Sequence, residues 1–125
     1  MEKAGNSKPF DLEERTFLFA KKCREFVKIL PKTIGNIEDG KQLIRASGSV
    51  HANFIESVEA LNKKDSLHRM KICRKEAKES RSWLRLIDTG LTPALGQEQN
   101  LLANESLELT RIFGSIILKK QIQKL

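Results

Sequence analysis

The side chains best suited to chemistry in this sequence are two histidines, His51 and His68, and two cysteines, Cys23 and Cys73. Neither histidine stands at i, i+4 from another ligand-type residue in a recognised metal pattern, and the cysteines match no metal or redox spacing. A glycine-rich phosphate loop, a GxSxG turn and a CxxC pair are all missing from the sequence. Spacing alone leaves a Cys–His dyad open, but Cys23 falls in an apolar stripe, where a thiol serves as a small hydrophobe. The reading is a non-enzymatic protein with no catalytic residue, no metal and no cofactor.

Charge is the stronger signal. The chain carries a formal net charge of +7. Residues 63–89 hold nine Lys and Arg against four Asp and Glu, so most of the excess lies there. Within that stretch Lys71, Arg74, Lys75, Lys78, Arg81 and Arg85 fall inside an arc of about 120° at the helical rotation of 100° per residue. A continuous basic face is the electrostatic footprint of phosphate binding, and these six residues are the candidate nucleic-acid-binding set. The alternative is a solvated face of a basic protein. No aromatic residue interleaves with the six, since Trp83 lies on another face, so binding would follow the backbone and not the bases.

A second constellation is polar. Arg45, Ser49, Ala52 and Glu56, with Asn53 beside them, repeat at helical spacing, as do Glu76, Glu79 and Trp83 further on. Both stripes are bordered by apolar residues. Arg45, Asn53, Glu56, Glu76 and Glu79 are therefore a candidate buried polar cluster or subunit boundary, with Arg45 expected to pair with Glu79 or Glu56 in a largely buried position. The alternative is a structural ion pair that fixes helix register.

Four amphipathic segments must position these residues. Leu12, Thr16, Phe19, Cys23, Phe26 and Leu30 step by three and four, which predicts a helix over residues 11–30 capped by Asp11 and stopped by Pro31. Leu43, Ser47, Val50, Phe54, Val58 and Leu61 predict a second over residues 36–61, with Ile44, Gly48 and Ile55 widening its apolar arc. The small residues from Ala46 to Ser49 admit a close neighbour, offsetting the cost of Gly48 in a helix interior. Met70, Cys73, Ala77, Ser80, Leu84 and Ile87 predict a third over residues 65–88, capped by Asp65 or Ser66. Leu102, Ser106, Leu109, Phe113 and Ile116 predict a fourth over residues 97–122. The breaks hold Pro31, Gly35, Gly90, Pro93 and Gly96. Residues 1–10 read as a flexible arm, and residues 11–125 as one all-α domain, an antiparallel up-down-up-down four-helix bundle.

Length and composition agree. At 125 residues, the chain suits one core and needs no disulfide or metal to hold it. The absence of Tyr and the single Trp argue against a β-sandwich or barrel. No apolar run reaches membrane-spanning length, and acidic and basic residues interrupt the first 30, excluding a signal peptide. A cytoplasmic protein with no membrane role is expected.

The stretch from Leu43 through Arg45, Ala46, Ser49 and Asn53 to Glu56 resembles the helix-two signature of bacterial four-helix-bundle proteins encoded in intervening sequences of 23S ribosomal RNA genes. That signature is Leu-x-Arg-Ala-x-x-Ser with Asn and Glu following. Arg74 to Leu84 resembles the helix-three segment of the same family in a variant rich in Lys and Arg. The likeness spans roughly residues 17–117. Ser57 stands where a Gly often follows the Glu, and Lys75-Glu76 replaces a usual Gly-Ser in helix three. The resemblance implies a ring-shaped homopentamer without catalytic activity. A related branch resembles accessory proteins of diversity-generating retroelements, which are basic and pentameric and bind nucleic acid and a reverse transcriptase.

The expected function is a non-enzymatic oligomeric scaffold that binds RNA or a ribonucleoprotein through the basic face, with a ribosomal component or a reverse transcriptase as possible partner. The alternative is a protein-interaction module with an acidic protein partner and no nucleic-acid role.

Overall fold

Prolines and N-capping side chains set where the helices start and stop. The computed structural model describes residues 11–122, so the expected N-terminal arm lies outside the described residues. Its elements are α1 (Leu12–Lys28), α2 (Ile34–Val58), α3 (Lys63–Leu86) and α4 (Pro93–Ile122). There is no strand among the described residues.

Pro31 forces α1 to end, and the Ile29 and Leu30 amides close onto Phe26 and Val27 carbonyls at 3.3 Å in a tightened last turn. The Asp11 side chain makes no capping bond, contrary to expectation; Glu13 and Glu14 still meet the positive end of the α1 dipole. Thr33 Oγ1 caps α2 by accepting from the Asn36 amide at 3.1 Å. Asn62, and not Asp65 or Ser66, caps α3: its Oδ1 accepts from the Asp65 amide at 2.9 Å. Helix α4 begins at Pro93, earlier than the expected residue 97. Proline lacks only an N–H that the first turn leaves unpaired, and its fixed φ suits that turn. The bend that precedes it uses Gly90 at φ +68°.

Each helix packs on its sequence neighbours, α1 closes the ring against α4, and the diagonal pairs do not approach. The result is the up-down-up-down bundle. The α2–α3 seam is the most extensive and α1–α4 the thinnest. The core is built from Phe19, Phe26, Leu43, Val50, Leu84, Leu109 and Phe113, all essentially inaccessible to solvent. Thr16, Ser47, Ser80 and Ser106 interrupt the apolar stripes yet are buried, because each hydroxyl donates to a carbonyl one turn back.

Two stripes depart from expectation. On α2 the helix ends at Val58, so Val58 and Leu61 stand out in solvent and do not extend the core. On α4 the stripe passes from Phe113 to Ile117, leaving Ile116 half-buried. Close approach on α2 falls at two glycines: a Cβ on Gly40 would lie 2.8 Å from Val27 Cγ1, and one on Gly48 3.0 Å from the guanidinium of Arg24.

Asn36 ties the far loops together. Its Nδ2 donates to the carbonyls of Pro31 at 3.0 Å and Asp88 at 2.7 Å, and its Oδ1 accepts from the Asp88 amide at 2.9 Å. Gln99 donates to the Leu84 and Ile87 carbonyls, satisfying the end of α3 from α4.

Candidate nucleic-acid interface

Helix α3 presents its two long edges to different neighbours. The edge facing α2 carries Glu76 and Glu79. Arg45 reaches both, with Nη1 3.4 Å from Glu76 Oε2 and Nη2 3.2 Å from Glu79 Oε1. Glu76 is buried, but the Arg45 side chain is 52% exposed. The expected buried pair is therefore a correction: it is a rim cluster with one buried oxygen carrier. The other Glu76 oxygen, Oε1, has no hydrogen-bond partner.

Glu56 and Asn53 do not join this cluster. Glu56 is exposed, in a shallow recess with His68 and Arg69. Asn53 accepts from Arg69 Nη1 at 3.0 Å and donates to Ser49. The reason is register: a helix rises 1.5 Å per residue, so the 11 positions from Arg45 to Glu56 move it about 16 Å along α2.

The other edge carries the basic residues. Lys71, Lys75, Lys78 and Arg85 are exposed, while Arg74 and Arg81 are half-buried toward α4. Arg74 Cδ lies over Gly114, 4.0 Å from where a Cβ would stand. Lys78 and Arg81 line a groove of about 270 Å³ with Glu79 and Ser82 of α3 and Leu107 and Thr110 of α4. Arg81 Nε is buried there without a partner. Arg111, exposed on α4, is one turn from both Leu107 and Gly114 and extends the basic surface across the seam. Sequence reasoning missed it, because its place beside α3 depends on how α4 docks.

No carboxylate among the described residues lies within salt-bridge distance of Lys71, Arg74, Lys75, Lys78, Arg81 or Arg85. The two mid-helix carboxylates of α3 turn to α2 and engage Arg45. That leaves like charges at i, i+4 on the outer face, an arrangement that costs a few tenths of a kcal/mol per pair.

The residues first considered for chemistry sit apart from this face. Cys23 and Cys73 are buried free thiols, and burial pushes both up to about 12, so neither is a thiolate near neutral pH. His51 Nδ1 is 3.0 Å from Thr16 Oγ1. The threonine spends its proton on the Leu12 carbonyl at 2.7 Å, so the imidazole donates. No group of three or more His, Cys, Asp or Glu able to hold a metal occurs among the described residues.

A further ion cluster went unread in the sequence. Arg15 of α1 makes a two-pronged contact with Glu105 of α4, Nε to Oε2 at 2.7 Å and Nη2 to Oε1 at 2.8 Å, and adds Glu108 at 2.7 Å. The Glu105 hydrogen bonds hold the guanidinium well above its usual range. Its partners lie about 90 positions away, beyond any local pattern.

With this geometry in view, the comparison with known families is decisive. The family model for the 23S rRNA-intervening sequence protein matches residues 9–115. The chain belongs to that family. Among solved structures it is similar to a protein with unknown function from the S23 ribosomal protein family of Bacteroides thetaiotaomicron, at 24% identity and a TM-score of 0.71. That match covers 89% of this chain and 98% of the other, and it shows the shared fold. No curated protein matches the chain. Among the described residues, no helix of this family member is long and apolar enough to cross a membrane.

Proposed function

We propose that this protein is a non-enzymatic, oligomeric cytoplasmic scaffold that binds RNA or a ribonucleoprotein along the α3–α4 face. One observation carries the reading. The carboxylates that would neutralise α3 are turned to α2 and held by Arg45, so the outer cations are left uncompensated. Lys71, Lys75, Lys78 and Arg85 meet the phosphates, Arg111 adds a contact from α4, and Arg74 and Arg81 form the inner edge of the track. A phosphate backbone relieves the mutual repulsion and releases counterions. With no aromatic side chain on this face, recognition is of the backbone and weak in sequence preference.

The family resemblance supports assembly into a ring of five, which would repeat the basic track and raise avidity. Phe17, Ile37 and Ile55, left exposed on α1 and α2, support self-association. A ribosomal component or a reverse transcriptase is the partner that the resemblance suggests. Sedimentation should then give a species near five times 14.2 kDa.

The test of the binding reading is the triple variant Lys71→Glu, Lys75→Glu, Lys78→Glu, titrated with RNA over a range of salt. Weaker binding with a shallower salt slope, at unchanged helicity and mass, is expected. Wild-type protein that binds no RNA or DNA even at about 50 mM salt, where phosphate contacts are strongest, would overturn the reading in favour of an acidic protein partner.

A further inference from the structure

Where α2 ends and α3 begins, the bundle carries an open cavity of about 830 Å³, against about 320 Å³ for the groove between α1 and α4. This volume lies in the range of small-molecule sites. Its floor is apolar and firmly packed: Leu12, Phe54 and Met70 are each under 10% exposed. Val58, Ile112 and Ile116 form the walls and keep apolar surface open to solvent. Ile112 and Ile116 also pack against the core from one side, whereas Val58 stands largely in solvent.

The mouth has the opposite character. Lys63, Lys119 and Lys120 line it, and the described lining residues include no carboxylate. Lys63 opens α3 while Val58 closes α2, so the helix dipoles at this rim oppose each other and the positive charge comes from the lysines. On the wall, the hydroxyls of Ser57 and Ser66 bond each other at 3.1 Å and need no ligand. An apolar cavity edged by three lysines matches a molecule with an uncharged tail and one anionic head. It does not suit a nucleic-acid backbone, which has no apolar part to fill the cavity.

We propose that this cavity binds a single-chain fatty carboxylate, with the alkyl chain against Phe54, Met70 and Ile116 and the carboxylate among the three lysines. Burial of the tail supplies most of the affinity, and the lysines select the charge of the head. This proposal is independent of the RNA-binding reading, because the cavity shares no residue with the six cations on the outer face of α3.

The experiment is calorimetric titration of the full chain with dodecanoate below its micelle concentration, against dodecyltrimethylammonium as the cationic control. Saturable binding at one carboxylate per chain is expected, with a preference over the cation of roughly fivefold to tenfold, as rim-exposed ion pairs supply. Ser115→Trp places an indole in the cavity from an exposed α4 position. It should weaken dodecanoate by at least about tenfold at unchanged helicity, because the tail loses its apolar contact. Lys119→Glu with Lys120→Glu should abolish the charge preference while sparing the fold. The proposal fails if dodecanoate shows no saturation, if both amphiphiles bind alike, or if Ser115→Trp binds as the wild type does. It also fails if dodecanoate changes the mass of the assembly, since the cavity would then be a contact between copies.

Discussion

Two seams of this bundle are each bridged by one arginine and two glutamates, yet the clusters differ in build. At α2–α3 the helices pack extensively, and Arg45 reaches over the rim with longer contacts, 3.4 Å to Glu76 and 3.2 Å to Glu79. At α1–α4 the helices touch least, and Arg15 is held by Glu105 at 2.7 Å in a two-pronged geometry with both side chains 27% exposed. Where apolar packing is dense, the ion cluster is an accessory. Where it is thin, the ion cluster performs the joining, because a fixed guanidinium fork supplies both energy and direction.

The sharpest way to break this comparison is Arg15→Ala. It leaves the half-buried Glu105 without its partner and should destabilise the fold by about 2 kcal/mol, within the range for hydrogen bonds to charged groups. Urea denaturation measures this, and a loss no greater than that of Arg45→Ala would remove the distinction between the seams.

The buried thiols compare the seams from within. Cys23 lies on α1, and Cys73 lies on α3, where its thiol donates to the Val50 carbonyl at 3.6 Å. If α1 opens first, Cys23 should react with a disulfide reagent about ten times faster than Cys73, equivalent to about 1.4 kcal/mol of opening free energy. Single-cysteine variants under native conditions give both rates. Equal rates would mean that the bundle opens as a unit.

The thiols also give an alkaline signature. Burial raises each from 9.0 to about 12, so below pH 9 both folded and unfolded chains hold the protons. Between about pH 9 and 12 the unfolded chain gives them up first. Stability therefore falls there by up to about 1.4 kcal/mol per pH unit per thiol. The double variant Cys23→Ala, Cys73→Ala should lose this part of the slope in denaturation curves against pH.

Arg45→Ala should have the smallest effect, about 1 kcal/mol. Half its side chain is solvated, although Glu76 is left buried without a cation. Raising salt should shrink that difference more than the one at Arg15, since exposed pairs are screened first.

The sequence by itself determined the class of the fold. The three-four spacing from Leu12 to Leu30, and its counterparts around Val50, Cys73 and Leu109, can be satisfied only by amphipathic helices sharing a core. Pro31, Gly90 and Pro93 permit few places to turn. It also determined the basic arc of α3, since residues on one helix share a face whatever packs against it. Boundaries were less legible: Pro93 reads as a breaker until the chain ahead of it bends, and then it is a helix start. Only the tertiary structure decided which cations are free. Arg74 and Arg81 lean on α4, Arg111 arrives from α4, and Glu76 and Glu79 are drawn to Arg45. The Arg15–Glu105 clamp and the Asn36 bridge to Asp88 were likewise invisible, because they join residues far apart in sequence. Helical periodicity assigns a residue to a side of its own helix. The rotation and register of the neighbouring helix decide what it meets there.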